Sequence, residues 1–262
     1  MKDNRPVMAW LRVDGRPARY QVHARADGGA PPVLLVHGIA CSSFAFRPTL
    51  EHAVEVGEPR RVFAPDLPGY GRSPGPRRAL DMPEMGAWLL DFLDALAIPR
   101  VHVIGNSMGC QVAMAMARQA PARVASLILT GPTTGDQYQS FWRYGFGLLA
   151  DQFFESPAYN LRLATMALQM GPRRFVPTMR HLLRDHPIAL ADQVVCPTLV
   201  VRGTRDLIIP RKVAQRLAAA LPRGEYVEVP GVAHSVQHDR PDALWALARP
   251  FFARSGADTT PA

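Results

Sequence analysis

Gly105-Asn106-Ser107-Met108-Gly109 is the stretch of this chain in which chemistry is most legible. A serine hydroxyl is a poor nucleophile unless it is lifted clear of its backbone and given a base. A G-x-S-x-G pattern supplies the first condition when it follows a strand and opens a helix. Here an unbroken apolar run, residues 101–104, precedes it, and a helical pattern over 107–119 follows. In so tight a turn, side chains two residues either side of the serine would collide with it, so Gly105 and Gly109 fit. Ser107 is the candidate nucleophile. The Met108 N–H, at a helix N-terminus, points where an oxyanion would form. The plain alternative is a glycine-rich strand-to-helix turn with a capping serine.

Of the eight histidines, His234 is the best-placed base. It follows the last apolar run in Pro230-Gly231-Val232-Ala233-His234-Ser235, at the carboxyl end of a strand, where open α/β sheets bind ligands. His238 stands beside Asp239 and reads as part of the approach to the last helix. His37 ends the first core strand and reads as structural. His186 precedes Pro187, and His23, His52, His102 and His181 have no catalytic context. A base needs an acid to hold its tautomer. Asp206, in Gly203-Thr204-Arg205-Asp206, again follows a strand, and the order Ser107, Asp206, His234 is Ser…Asp…His. Asp136, after the strand at 126–129, is the rival acid position. A turn or helix cap is the plain alternative for Asp206, with Pro210 just beyond. Gly38, in His37-Gly38-Ile39-Ala40, allows close backbone approach, which makes the Ile39 N–H the second oxyanion donor. Asp66 in DLPGYGRS reads as structural, tying down its own loop.

The elements that must carry these residues alternate. Segments 7–13 and 18–24 flank Asp14-Gly15 and read as a hairpin. Apolar runs at 33–36, 62–64, 101–104, 126–129, 198–201 and 226–229 suit strands buried on both faces. Helical patterns fall at 83–97, with Asp81 as cap and Pro83 in the first turn, and at 107–119, 210–221 and 241–253. Strand alternating with helix predicts a parallel sheet covered on both sides. Residues 133–190 break the rhythm: they hold no convincing strand and concentrate aromatic and methionine residues, which reads as a helical insertion. The expected organisation is a core of residues 1–132 and 191–262 with a cap over 133–190.

Composition bounds the rest. The 262 residues are 48% hydrophobic and 20% charged, an ordinary globular balance that excludes disorder and fibrous classes. No apolar run approaches the ~20 residues needed to span a bilayer. The N-terminal residues carry no signal-peptide pattern, so a cytoplasmic location is expected. The net charge is +8, and all basic residues but Lys2 and Lys212 are arginine. The arginines are scattered, with no basic stripe, so nucleic acid is not expected as a partner. The three cysteines fit neither a disulfide framework nor a zinc pattern.

Taken in order, HGIACSS, DLPGYGRS, GNSMG, RGTRD and GVAHS resemble the α/β-hydrolase superfamily, in its cap-bearing serine hydrolase branch. The resemblance runs from about residue 8 to 253. It implies an eight-stranded, mostly parallel sheet with helices on both faces, and a helical cap. It also implies Ser107 as nucleophile, Asp206 as acid, His234 as base, and Ile39 and Met108 as oxyanion donors. Serine at the elbow departs from the dehalogenase and epoxide-hydrolase members, which carry aspartate there. The elbow is also similar to that of carbon–carbon bond hydrolases of ring-fission products. Ile39-Ala40-Cys41 and Ser235 depart from that group's usual residues. The expected activity is hydrolysis of a small, mostly apolar ester, thioester or lactone through an acyl-enzyme, with neither cofactor nor metal. Carbon–carbon cleavage of dienoates is the second reading, and a small-molecule receptor on the same scaffold the third. Tyr138, Phe141, Trp142 and Phe146 are the expected substrate-binding residues of the cap.

Overall fold

The computed structural model describes residues 6–23, 30–133, 141–151, 153 and 157–257. An eight-stranded sheet forms the centre. Its strands are β1 (Val7–Val13), β2 (Arg16–His23), β3 (Val33–Val36), β4 (Val62–Pro65), β5 (Val101–Asn106), β6 (Val124–Thr130), β7 (Thr198–Gly203) and β8 (Gly224–Val229). They lie in the order β1-β2-β4-β3-β5-β6-β7-β8. β1 and β2 are antiparallel additions at one edge, and every pairing from β4 to β8 is parallel. The β1–β2 turn is made by Asp14 and Gly15 at φ 48° and 72°, the left-handed pair that a two-residue hairpin requires.

The runs of β3 to β7 are buried on both faces because alternate residues serve different helical layers, whereas the run expected at 226–229 is only half-buried, because β8 is the edge strand. Leu34 and Val36 join one core with Val103, Leu127, Leu129 and Val200. Val33 and Leu35 join the other with Ile104, Ile128, Leu199 and Val201. The first core is closed by α2 (Met82–Ala95), α3 (Met108–Gln119) and α7 (Arg211–Ala220). The second is closed by α1 (Arg47–Glu55), the short α8 (Val236–Asp239) and α9 (Pro241–Ala257). The α2 start is a reciprocal cap: Asp81 accepts from the Glu84 N–H at 2.9 Å, and Glu84 accepts from the Asp81 N–H at 3.0 Å.

Helix α1 was not among the sequence expectations. Its nine residues are largely polar and bury only Thr49, Leu50 and Ala53, too little for a periodic signal, although Pro48 in its first turn is a start marker. Between β6 and β7 lie α4 (Phe141–Asp151), α5 (Pro157–Met170) and α6 (Pro172–Arg184). Helix α5 is seated by one stripe. Tyr159 and Leu163 pack on Cys41 and Ala45, the Arg162 guanidinium lies 4.1 Å from the Phe44 ring centroid, and Met166 sulfur accepts from Ser42 Oγ at 3.1 Å. Those four positions, i, i+3, i+4 and i+7, define one helix face. Among the described residues no helix is long and apolar enough to cross a membrane.

Candidate active site

Ser107 sits between β5 and α3 with φ 55° and ψ −122°, a left-handed backbone that a non-glycine residue adopts only under strain. The surrounding glycines explain how the turn closes. A Cβ on Gly105 would lie 2.7 Å from the Gly109 carbonyl oxygen, and one on Gly109 would strike the Val36 carbonyl. The loop after β3 passes over the serine as closely: a Cβ on Gly38 would lie 3.1 Å from that of Ser107.

His37 fixes that loop. The Leu67 N–H donates to His37 Nε2 at 3.0 Å, so the ring proton is on Nδ1, which donates to the Gly38 carbonyl at 2.9 Å. Burial holds His37 below the ordinary imidazole pKa, so the ring stays neutral near pH 7. In a trans peptide the carbonyl and the following N–H point oppositely. Holding the Gly38 carbonyl therefore sets the direction of the Ile39 N–H. Met108 is the first residue of α3. Asp66 ties the neighbouring loop, accepting from the Ser43 N–H at 2.8 Å and the Arg72 N–H at 3.0 Å.

The loops after β7 and β8 are laced together. The Arg205 N–H donates to Val232 at 2.8 Å, the Thr204 N–H to Val229 at 3.0 Å, and the Gly231 N–H to Thr204 Oγ1 at 2.9 Å. Asp206 and His234 meet across this seam: His234 Nδ1 lies 2.9 Å from Asp206 Oδ2. The other carboxylate oxygen accepts from the Ile208 and Ile209 amides, both at 2.8 Å. Asp206 is thus both a turn aspartate and the partner of His234. Arg202, at the end of β7, holds the same loop by donating to the Asp206 carbonyl at 2.7 Å and the Ile209 carbonyl at 2.6 Å. With the carboxylate accepting at Nδ1, the imidazole keeps Nε2 as its basic atom.

Ser107, His234, Asn106 and Ile39 line one cavity of about 60 Å³, with Tyr159 and Leu163 of α5 as its outer wall and Asp151 and Ile208 beside them. Asn106 bridges from the elbow, its side-chain N–H donating to the Thr130 carbonyl at 3.3 Å and the His234 carbonyl at 3.5 Å.

Three contributors have no local sequence signature. Gly131, at φ 54°, backs the Asp206–His234 pair so closely that a Cβ there would lie 2.7 Å from His234 Nδ1 and 3.3 Å from Asp206 Oδ2. Asp151, buried at the end of α4, accepts from the Leu207 N–H at 3.4 Å and the His234 N–H at 3.3 Å. Burial pushes its carboxyl above the ordinary aspartate pKa, and nearby Asp206 adds to this, while His234 and the two amides counter it. Leu163 belonged to no expected pocket. His238 pairs with its neighbour Asp239 at 3.0 Å and stacks on Tyr159, a structural role.

Of the four residues expected at the substrate, only Phe146 has a described side chain. Phe146 is 72% exposed and stands outside the cavity lining. The reason is helical phase. Gly147 faces the core, where a Cβ would meet the Ile208 Cα at 3.4 Å. Asp151, one turn on, faces the same way, so Phe146 is turned to solvent. Phe141 and Trp142 are in α4, but their side chains lie outside the described residues, as do Tyr138 and the rival acid Asp136. Among the described residues no group of three or more histidine, cysteine or acidic side chains is placed to hold a metal ion.

A mostly parallel eight-stranded sheet, with a serine on a strained strand-to-helix turn and a carboxylate-held histidine beyond later strands, defines an α/β hydrolase architecture. The chain belongs to the alpha/beta hydrolase family, whose sequence model matches residues 33–247. It is 30% identical, over 82% of its length and 85% of the relative's, to the 2-hydroxy-6-oxononadienedioate/2-hydroxy-6-oxononatrienedioate hydrolase of Cupriavidus pinatubonensis. Its fold is similar to that of a thermophilic esterase from Thermogutta terrifontis, with TM-score 0.76, 22% identity and 96% and 99% of the two chains covered. It is similar also to the enol-lactonase from Burkholderia xenovorans, with TM-score 0.77, 21% identity and 94% and 100% covered.

Proposed function

We propose that this protein is a serine hydrolase that cleaves a small, mostly apolar carboxylic ester, thioester or lactone through an acyl-enzyme. The observation that carries the reading is that Ser107 and the Asp206-held His234 line the same cavity. His234 Nε2 takes the Ser107 proton as Oγ attacks the carbonyl carbon. The tetrahedral oxyanion accepts from the Ile39 and Met108 amides, one aimed by His37 and the other at a helix N-terminus. His234 then protonates the leaving alkoxide or thiolate, water attacks the acyl-enzyme with His234 again as base, and Ser107 is released. In this reading α4, α5 and α6 form a cap, and Tyr159 and Leu163 supply the apolar wall that the acyl or alcohol group meets.

Carbon–carbon cleavage is the second reading, favoured by the relative from Cupriavidus pinatubonensis. Two measurements test the proposal. A fluorophosphonate probe followed by peptide mass spectrometry should label Ser107 in the wild type and lose that label in Ser107→Ala; equal labelling of both would defeat it. A panel of aryl esters, lactones and a ring-fission dienoate should show turnover of the first two. Rapid loss of dienoate absorbance with no ester turnover would establish the second reading instead.

A further inference from the structure

Asp151 is out of place on structural grounds alone. It is a carboxyl group at the carboxyl end of a helix, where the helix dipole opposes negative charge. It is also buried, which opposes it further. Its two amide contacts, at 3.3 and 3.4 Å, are long for charge-assisted hydrogen bonds, which run ~2.7–2.9 Å. By contrast, Asp206, in the same loops, receives two amides at 2.8 Å. Asp151 lines the cavity that holds Ser107 and His234. None of the described residues lining that cavity is a lysine or arginine. An under-solvated carboxyl group facing a nucleophile gains most from a partner that brings N–H, O–H or positive charge. It is worst served by a second carboxylate, because desolvation and like charge then act in the same direction.

We infer that Asp151 is a specificity-determining residue, which directs the cavity toward acyl or leaving groups that carry a hydrogen-bond donor or a positive charge and rejects those that carry a carboxylate. The inference rests on the serine hydrolase reading and deepens it by naming a substrate class. It also bears on the carbon–carbon alternative, since a dienoate brings its own carboxylate to a wall already acidic.

The test uses three p-nitrophenyl esters of matched length: hexanoate, the adipate half-ester and 6-aminohexanoate. The full-length enzyme should rank them amino, neutral, carboxylate in kcat/KM. Asp151→Asn keeps the shape and one acceptor oxygen but removes the charge. It should raise the carboxylate-to-neutral ratio at least tenfold and lower the amino-to-neutral ratio. If Asp151 only held the His234 loop, all three esters would lose activity by one common factor, and unchanged ratios would overturn the inference. Fluorophosphonate labelling runs beside the kinetics. A labelled Ser107 with unchanged ratios defeats selection by Asp151 alone, whereas a Ser107 that takes no label overturns the hydrolase reading and the selection with it.

Discussion

Gly131→Ala probes how tightly the backbone supports the Asp206–His234 pair. The new Cβ would stand 2.7 Å from His234 Nδ1, 2.8 Å from Cε1 and 3.3 Å from Asp206 Oδ2. An ordinary non-bonded separation is about 3.5 Å, so the imidazole would have to retreat by roughly 0.8 Å. That retreat opposes its 2.9 Å bond to Asp206 and shifts the base relative to Ser107. A displacement of about 1 Å in a catalytic group costs on the order of 10²-fold in rate, so kcat for a neutral aryl ester should fall about 100-fold. A second cost is separate. Gly131 has φ 54°, and a side chain in that region costs about 1–2 kcal/mol. Gly15→Ala isolates this second cost, because Gly15 has φ 72° and nothing within 4 Å of an added Cβ. Both variants should lose a few degrees of melting temperature, in line with about 2–4 °C per kcal/mol for a chain of this size. Only Gly131→Ala should lose activity. If Gly131→Ala kept more than half of the wild-type kcat, or if Gly15→Ala lost as much, the account of His234 being backed by that glycine would be refuted.

Asp206→Asn should lower kcat by about 10⁴-fold, because the wrong imidazole tautomer then faces Ser107; Asp136→Asn measured alongside should stay near wild type, and the reverse result would reassign the acid. Leu163→Ala should change the preferred acyl length in a graded way, worth about 1–3 kcal/mol per methylene-sized change, whereas Phe146→Ala should leave a chain-length series flat, as its exposure requires; a length shift from Phe146 alone would place the pocket elsewhere. Asp151 gives a stability prediction with a definite sign. Its carboxyl is raised above the ordinary value in the folded protein, so the native state binds that proton more tightly than the unfolded chain. Stability from this group is complete below the unfolded value and is lost as pH rises through the folded one. The stability of Asp151→Asn relative to wild type should therefore increase between pH 3 and pH 7 in denaturant melts, and a difference independent of pH would contradict the assignment.

What the sequence discloses about this molecule divides by distance along the chain. Most of the parallel strands were legible because each is a short, mainly apolar run buried on both faces; β8, at the sheet edge, is only half-buried and carries Glu225 and Glu228. The observed strand ends reach further, as in Gly105-Asn106 and Arg202-Gly203, because parallel pairing continues past the last apolar residue. Ser107 and His234, which line one cavity, and Asp206, which His234 meets, could be picked out as candidates because each follows a strand within a few residues, so local placement on the sheet edge could be read without knowing contacts. Asp151 was not, since its partners Leu207 and His234 lie 56 and 83 residues away and nothing near it marks it as facing inward. Gly131 was hidden for the same reason: its meaning lies in the His234 ring. The aromatic content of 133–190 identified apolar material, but the choice between Phe146 and the pair Tyr159 and Leu163 depends on the phase of each helix relative to the core, which composition does not carry.

The cavity brings these parts together. The described walls leave about 60 Å³ beside Ser107. Ligand sites for small molecules run to about 300–1,000 Å³. Tyr159 and Leu163 on that cavity's wall belong to the α5 stripe that rests on residues 41–45. Tyr159 and Leu163 meet a small apolar cluster with Cys41 and Ala45, and Tyr159 also stacks on His238 and accepts from Ser235 Oγ at 3.5 Å. Ser107, Asp206 and His234, by contrast, follow β5, β7 and β8, strands held between the two main cores. The sheet edge therefore fixes Ser107, Asp206 and His234 relative to one another, and Asp151, at the end of α4 and bonded to the loops after β7 and β8, is the point where the α4–α6 segment is tied to them.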